Sequence, residues 1–451
     1  MLWATDSIFY QIFPLGVCAA PLHNDFVSPP INRLQTLYEW LEHFASLGAN
    51  ALYLGPVFES SSHGYDTADY FQVDRRLGKH EHLVQFVDAC HQKNVKVVLD
   101  GVFNHVGRDF WAFKDLQTHG YNSAYKDWFS GLRFDRSSPY GDAFSYETWS
   151  GHYSLVKLNL NHPPVVEHFF QAVEMWINQY HIDGIRIDAA DSIAIEFQQK
   201  LAAFCRNLRP DFWLMGEVVH GDYRHWANPE ILDSVTNYEC YKGLYSSLND
   251  KNYYEIAYAL NRQFGENGIY RHIALYNFVD NHDVERLASR LLDPNQLELT
   301  YVLLFSMPGI PSLYYGSEFG ILGKKNNNDL ELRPALDLPA LVADNANQAL
   351  LSHIRKLSML RNKHAALRHG NYRQVYVSHE QLAFMREYEE EKMLVVLNAS
   401  AAPCKMDLNL GEFDGLTFID VLHDCERWSV HNQHLSISIR ANGACILTNC
   451  P

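Results

Sequence analysis

Apolar positions along this chain fall into two alternating patterns, compact runs and spaced stripes. Ser7–Phe13 is a compact run closed by Pro14 and predicts a buried strand. Leu34, Leu37, Tyr38, Leu41, Phe44, Ala45 and Leu47 then recur at helical spacing and stop at Gly48. The alternation continues. Strands are predicted at Ala51–Leu54, Val95–Asp100, Asp183–Asp188, Phe212–Glu217, Leu232–Tyr238, Ile273–Val279 and Ser312–Tyr315. Helices are predicted at about 81–93, from Pro163-Pro164 to about Tyr180, and over Ala194–Leu208. Eight short apolar strands with helices between most of them predict an α/β fold, a closed (β/α)8 TIM barrel.

Two regions break the rhythm. From about Val106 to Asn159 aromatics, Gly and Ser replace the alternation, which predicts a functional loop or small domain inserted after the third strand. After about Arg368 come short strand-like runs at Gln374–Val377, Met393–Leu397, Leu416–Val421, His434–Ile439 and Cys445–Thr448. These predict a C-terminal antiparallel β-sandwich. The expected division is a barrel over 1–105 and 160–368, an inserted domain B over 106–159 and a β domain over 369–451.

Composition narrows the function. The 451 residues are 47% hydrophobic and 13% aromatic, enough for a large core and more than one domain. A net charge of -16, with no local Lys/Arg cluster, argues against a nucleic-acid partner. No stretch approaches the roughly 20 apolar residues of a membrane span. The N-terminus lacks the basic and apolar regions of a secretory signal. The 8 cysteines are too few and scattered for a disulfide scaffold, and no pair has zinc-site spacing. Free thiols and a cytoplasmic location are expected, although Cys404, Cys425, Cys445 and Cys450 crowd one end. The aromatics are mostly core, but at the mouth of a site they would suit sugar rings.

The candidate chemistry lies at strand ends. Asp188, Glu217 and Asp283 come from three different strands but arrive at one face, the face on which such barrels do chemistry. Asp100 and Asp183 also sit at strand ends, so position alone is a weak filter. Two facing carboxylates suffice to cleave a glycosidic bond by double displacement: one attacks the anomeric carbon, the other protonates the leaving oxygen and then activates water. Arg186, two along the strand, shares a face with Asp188 and is expected to hold it ionised. Glu217 follows Trp213, Leu214, Met215 and Gly216, an apolar setting expected to favour its neutral form.

Four segments, Asp100–His105, Gly184–Asp188, Gly216–Val218 and Phe278–Asp283, resemble in order and spacing the signatures of the alpha-amylase family of glycoside hydrolases. The resemblance runs from about Tyr10 into the C-terminal domain. It implies Asp188 as nucleophile, Glu217 as general acid/base and Asp283 as the acid that holds and distorts the sugar. It further implies that His105 and His282 bond hydroxyls at the cleavage subsite, that Arg186 orients the nucleophile, and that Tyr65 in His63–Asp66 stacks on the ring. Asp329 and Arg333 resemble the pair that grips the next sugar outward, with a surface salt bridge as the competing reading.

Leu155–Asn159 and Val235–Tyr238 resemble the neopullulanase, cyclomaltodextrinase and maltogenic amylase group. Three departures stand out: the barrel starts at once, without that group's N-terminal domain; Ala189–Ser192 replaces Val-Ala-Asn-Glu; and two valines follow Glu217. The resemblance implies a retaining hydrolase of α-1,4-glucosidic bonds in maltooligosaccharides, maltodextrins or cyclodextrins. A glucanotransferase or trehalose synthase is the nearer alternative, and a non-catalytic sugar-binding or scaffold protein the remote one. No cofactor is expected. Asn104 matches a calcium-binding position of secreted relatives, but the acid and serine at Asp191-Ser192 replace the residues that complete it, so no metal ligand is assigned. The oligomeric state is left open.

Overall fold

The computed structural model describes residues 3–326, 328–423 and 426–450. Eight parallel strands form its centre: β1 (Phe9–Ile12), β2 (Ala51–Leu54), β3 (Lys96–Gly101), β4 (Gly184–Ile187), β5 (Trp213–Gly216), β6 (Ser234–Val235), β7 (Tyr276–Phe278) and β8 (Ile310–Tyr314). Hydrogen bonding runs continuously from β6 through β5, β4, β3, β2, β1 and β8 to β7. A parallel bridge between Thr236 and Tyr276 closes the ring. This is the predicted (β/α)8 barrel.

Side-chain alternation builds two cores from the same strands. Phe9, Ala51, Tyr53, Val98, Trp213, Met215, Tyr276, Phe278 and Ile310 point inward and fill the barrel. Phe9 lies 5.0 Å from Trp213 and 5.4 Å from Tyr276 between ring centroids, so the interior is packed and leaves no channel at that level. Tyr10, Leu52, Val97, Ile185 and Leu214 point outward to the helices, including Leu37–Ser46, His80–Gln92, Pro163–Gln179 and Ile195–Leu208. Pro163 and Pro164 occupy the first turn of their helix, where their missing N–H groups cost nothing.

Two predicted strands shorten most. The run Leu232–Tyr238 contributes only Ser234–Val235, because Asn237 caps the helix Tyr238–Asn249 by accepting a bond from the Cys240 N–H. Residues 273–275 are likewise outside β7.

After β2 an antiparallel hairpin, Phe58–Ser60 with Thr67–Val73, was absent from the sequence pattern. It is pinned by Asp74, which bonds Ser60 and pairs with buried Arg76 at 2.7 Å. Tyr65 sits in the loop at its tip. Segment 105–158 contains the helix Trp111–His119 and a three-stranded antiparallel sheet of His105–Gly107, Thr148–Trp149 and His152–Lys157.

The C-terminal region is a six-stranded antiparallel sheet facing the two-stranded pair Cys404–Asn409 and His434–Ile439. Met385, Leu394, Val396, Met406, Leu408, Ile437 and Leu447 fill the space between them. The opposite face of the larger sheet, through Phe384, Val395 and Ile446, packs into the main core. Seven cysteines of the described residues are free, and Cys425 lies outside those residues.

Candidate active site

The strand register brings the three acids together. In β4, Ile187 aligns with Gly101 of β3 and Gly216 of β5, so Asp188 and Glu217 each leave the barrel one residue past neighbouring strands. Their main-chain N–H groups still bond the barrel, Asp188 to Gly101 O at 3.1 Å and Glu217 to Ile187 O at 2.9 Å. Asp283 lies further past its strand and needs other support. Asn281 Oδ1 accepts the N–H groups of Asp283 and Val284, while buried Asp280 accepts from Ser317 and the Leu287 N–H.

Arg186 is the hub. Its Nη1 bonds Asp100 at 2.7 Å and Asp188 at 2.9 Å, and its Nη2 bonds Glu217 at 2.9 Å. Asp100, a weak candidate by position alone, is the buried anchor of this guanidinium and also accepts from Tyr53 and Tyr65. Ala189 adopts a left-handed conformation at φ 46°, uncommon for a residue with a Cβ, and its N–H donates to Glu217 at 3.0 Å. The strained turn thus fixes both acids.

Two electrostatic expectations change. Burial raises Asp188; Arg186 pulls it down, but Glu217, Asp100 and Asp283 push it up again. The net result is a carboxyl well above its ordinary range, because one guanidinium is shared among competing carboxylates. Arg186 therefore does not by itself hold Asp188 ionised. Nor is Glu217 in an apolar setting: its carboxylate lies on Arg186 and the Ala189 amide.

Asp283 goes the other way. Burial would raise it, but contact with His282 and the charges of Arg333 and Arg186 hold it well below the ordinary range. His282 Nε2 lies 3.0 Å from its Oδ2 and Arg333 Nη2 2.9 Å from its Oδ1.

The remaining predicted residues converge on the same place. Tyr65 stacks on His282 with centroids 5.4 Å apart and bonds its Nε2, while Gln11 Nε2 donates to His282 Nδ1 at 2.8 Å. The Gln11 contact, which orients the imidazole from β1, carried no signal in the sequence. Burial drives His105 down to about 3, so its imidazole is neutral. Asn104 Nδ2 lies 3.2 Å from His105 Nδ1, which places the proton on Nε2, buried without a partner and 3.9 Å from Asp188 Oδ2. Arg333 bonds Asp283 and Asp329 at once, each at 2.9 Å, so the salt bridge of the competing reading is present.

Tyr65, His105, Asp188, Glu217, Asp283, Asp329 and Arg333 border a cavity of about 650 Å³, lined further by Trp149, His152, Val219, Tyr238 and Lys325. Asn104 turns its amide nitrogen to His105, and among the described residues a cluster of metal-type donors, Asp420, His423 and Cys445, lies in the C-terminal region.

Residues 30–337 match the alpha amylase catalytic domain family, and residues 372–446 match the maltogenic amylase C-terminal domain family. The chain belongs to the alpha-amylase family. A cyclomaltodextrinase of a Bacillus species is 31% identical over 446 residues, covering 92% of this chain and 77% of the relative. Neopullulanase 2 of Thermoactinomyces vulgaris is 30% identical, covering 99% and 78%. Among solved structures, the cyclic alpha-maltosyl-(1→6)-maltose hydrolase of Arthrobacter globiformis superposes with a TM-score of 0.82. It is 27% identical and is matched over 99% of this chain and 100% of its own.

Proposed function

We propose that this protein is a retaining glycoside hydrolase acting on α-1,4-glucosidic bonds of maltooligosaccharides, maltodextrins or cyclodextrins. The observation that carries the reading is the fork of Arg186. Its two terminal nitrogens hold Asp188 and Glu217, each at 2.9 Å. Carboxylates sharing one guanidinium fit the close spacing of a retaining pair, about 5 Å, better than the roughly 6.5–9.5 Å that leaves room for water in inversion.

In the form of the site that carries its proton on Glu217, the Asp188 carboxylate attacks the anomeric carbon as Glu217 gives that proton to the glycosidic oxygen, and the carbon–oxygen bond to the leaving sugar breaks. Glu217, now ionised, takes a proton from water; the resulting nucleophile displaces Asp188 and restores both acids. Positive charge grows on the sugar at each barrier, and the surrounding carboxylates favour it. Asp283, held ionised by His282 and Arg333, accepts from hydroxyls of the same ring. Nε2–H of His105 and the Tyr65–His282 stack are placed to receive its other edges, and Asp329 with Arg333 takes the next sugar outward. The chemistry needs no cofactor.

The names of the relatives support this substrate class. Five of the free cysteines are buried, as suits a reducing compartment, and we place the protein in the cytoplasm. No helix among the described residues is long and apolar enough to cross a membrane.

The test is a timed product profile on maltose, maltotriose, maltoheptaose, β-cyclodextrin, pullulan and trehalose. Shorter maltooligosaccharides released as the α-anomer are expected. Products longer than the substrate, or trehalose formed from maltose, would instead mean that a sugar hydroxyl outcompetes water at the same intermediate. Folded protein inactive on every substrate would contradict the reading.

A further inference from the structure

The C-terminal domain holds a buried carboxylate where its strand pattern calls for an apolar side chain. Asp420 ends the strand Thr417–Asp420 and aligns with Leu447 of Gly443–Thr448. Aligned residues share a face of the sheet, and Leu447, Phe418 and Cys445 all face the sandwich interior. Asp420 therefore points inward with them and is 2% exposed. A charge in that position is costly unless it is paired or bound to a metal. No lysine or arginine pairs with it among the described residues; its ion-pair partner is His423, with Nδ1 3.1 Å from Oδ2.

The two carboxylate oxygens have different surroundings. Oδ1 accepts the N–H groups of Leu422 at 2.9 Å and Ile446 at 3.3 Å, which fixes the orientation of the group. Oδ2 is left for side chains. His423 arrives from the turn after Asp420, and Cys445 from the neighbouring strand, two residues before Leu447. The donor atoms of Asp420, His423 and Cys445 all lie within 4.8 Å of one another. Donors around a tetrahedral zinc ion stand about 3.3–3.5 Å apart, so movements of about 1 Å complete the set. Asp420 and Cys445 are buried, while the His423 side chain is 36% exposed and gives an ion a way in from solvent.

From this cluster we propose that Asp420, His423 and Cys445 bind a zinc ion, a structural site in the C-terminal domain. A thiolate, an imidazole and one carboxylate suit a borderline-soft ion, whereas calcium or magnesium needs several more oxygens. The Leu422 and Ile446 amides hold the carboxylate from behind, as outer partners of metal ligands do. On binding, the Cys445 sulfur bonds the metal and its proton passes to solvent. Three protein donors leave one tetrahedral position for water or a further ligand. The ion offsets the buried carboxylate and fastens the turn at His423 to the strand Gly443–Thr448.

The experiment uses the full chain, stripped of metal by dialysis against a chelator and then titrated with Co²⁺, which is coloured, and with Zn²⁺. Wild type, His423→Ala and Cys445→Ala are compared, each checked for folding by thermal melting. Wild type is expected to take one Co²⁺ per chain with a thiolate-to-cobalt charge-transfer band. Zn²⁺ should displace that band and raise the melting temperature. Cys445→Ala should lose the band. His423→Ala, a change at a partly exposed position, should weaken Zn²⁺ binding about 100-fold or more. Folded wild type without a thiolate band, or equal Zn²⁺ affinity in wild type and His423→Ala, would overturn the site.

Discussion

Strand β4 carries a buried acid at each end, and the two have opposite surroundings. Asp183, just before the strand, accepts from His91 at 2.8 Å, Lys96 at 2.9 Å, Arg209 at 2.6 Å and the Val97 N–H at 2.9 Å. Burial would raise it, but these donors outweigh burial and pull it down to about 2. Asp188, just after the strand, shares one guanidinium with Asp100 and Glu217 and is pushed up. One carboxylate has every lone pair satisfied; the other is left under-compensated beside a cavity. The first arrangement favours stability and the second favours chemistry, as expected of the two faces of such a barrel.

Replacing each acid by its amide should separate these roles. Asp188→Asn should lower kcat by about 10⁴-fold or more, since no nucleophile remains. Its melting temperature should hold or rise, because a buried, under-compensated carboxyl is replaced by a neutral amide of the same shape. Loss of activity accompanied by unfolding would contradict this. Asp183→Asn should do the reverse, costing roughly 3 kcal/mol by leaving buried cations unpaired while kcat stays within about twofold. The pH dependence follows from the sign of the shift. Asp183 titrates near 2 when folded and near 3.9 when unfolded. Its contribution, about 2–3 kcal/mol, is complete above the unfolded value and is lost as pH falls from about 4 toward 2. Wild type and Asp183→Asn should therefore converge in stability at the acid end of a denaturation series. A constant gap across that range would show that the contribution is packing and not charge.

The barrel was legible because its strands are buried on both faces and read as plain apolar runs separated by amphipathic helices. The order and positions of all eight followed from that. Register then delivered Asp188 and Glu217 without further information. What the sequence hid was held by single polar contacts. The hairpin carrying Tyr65 is fixed by Asp74 and Arg76, and no periodicity announces such a pair. The strand Gln381–Tyr388 is apolar on both faces yet contains buried Arg386, which donates to backbone carbonyls of Gly370, Ser306 and Leu367. A charge in mid-strand obscured the pattern. Likewise, Arg186 beside Asp188 suggested an ionised nucleophile, because proximity in sequence shows the partner but not its three competitors.

The most direct measurement is mass spectrometry of the protein after reaction with a 5-fluoro-α-glucosyl fluoride, which forms a glycosyl-enzyme quickly and releases it slowly. The account predicts one added fluoroglucosyl group per chain, located by proteolysis on the peptide containing Asp188. An adduct on Glu217 or Asp283, or no adduct while the enzyme hydrolyses glucans, would contradict it.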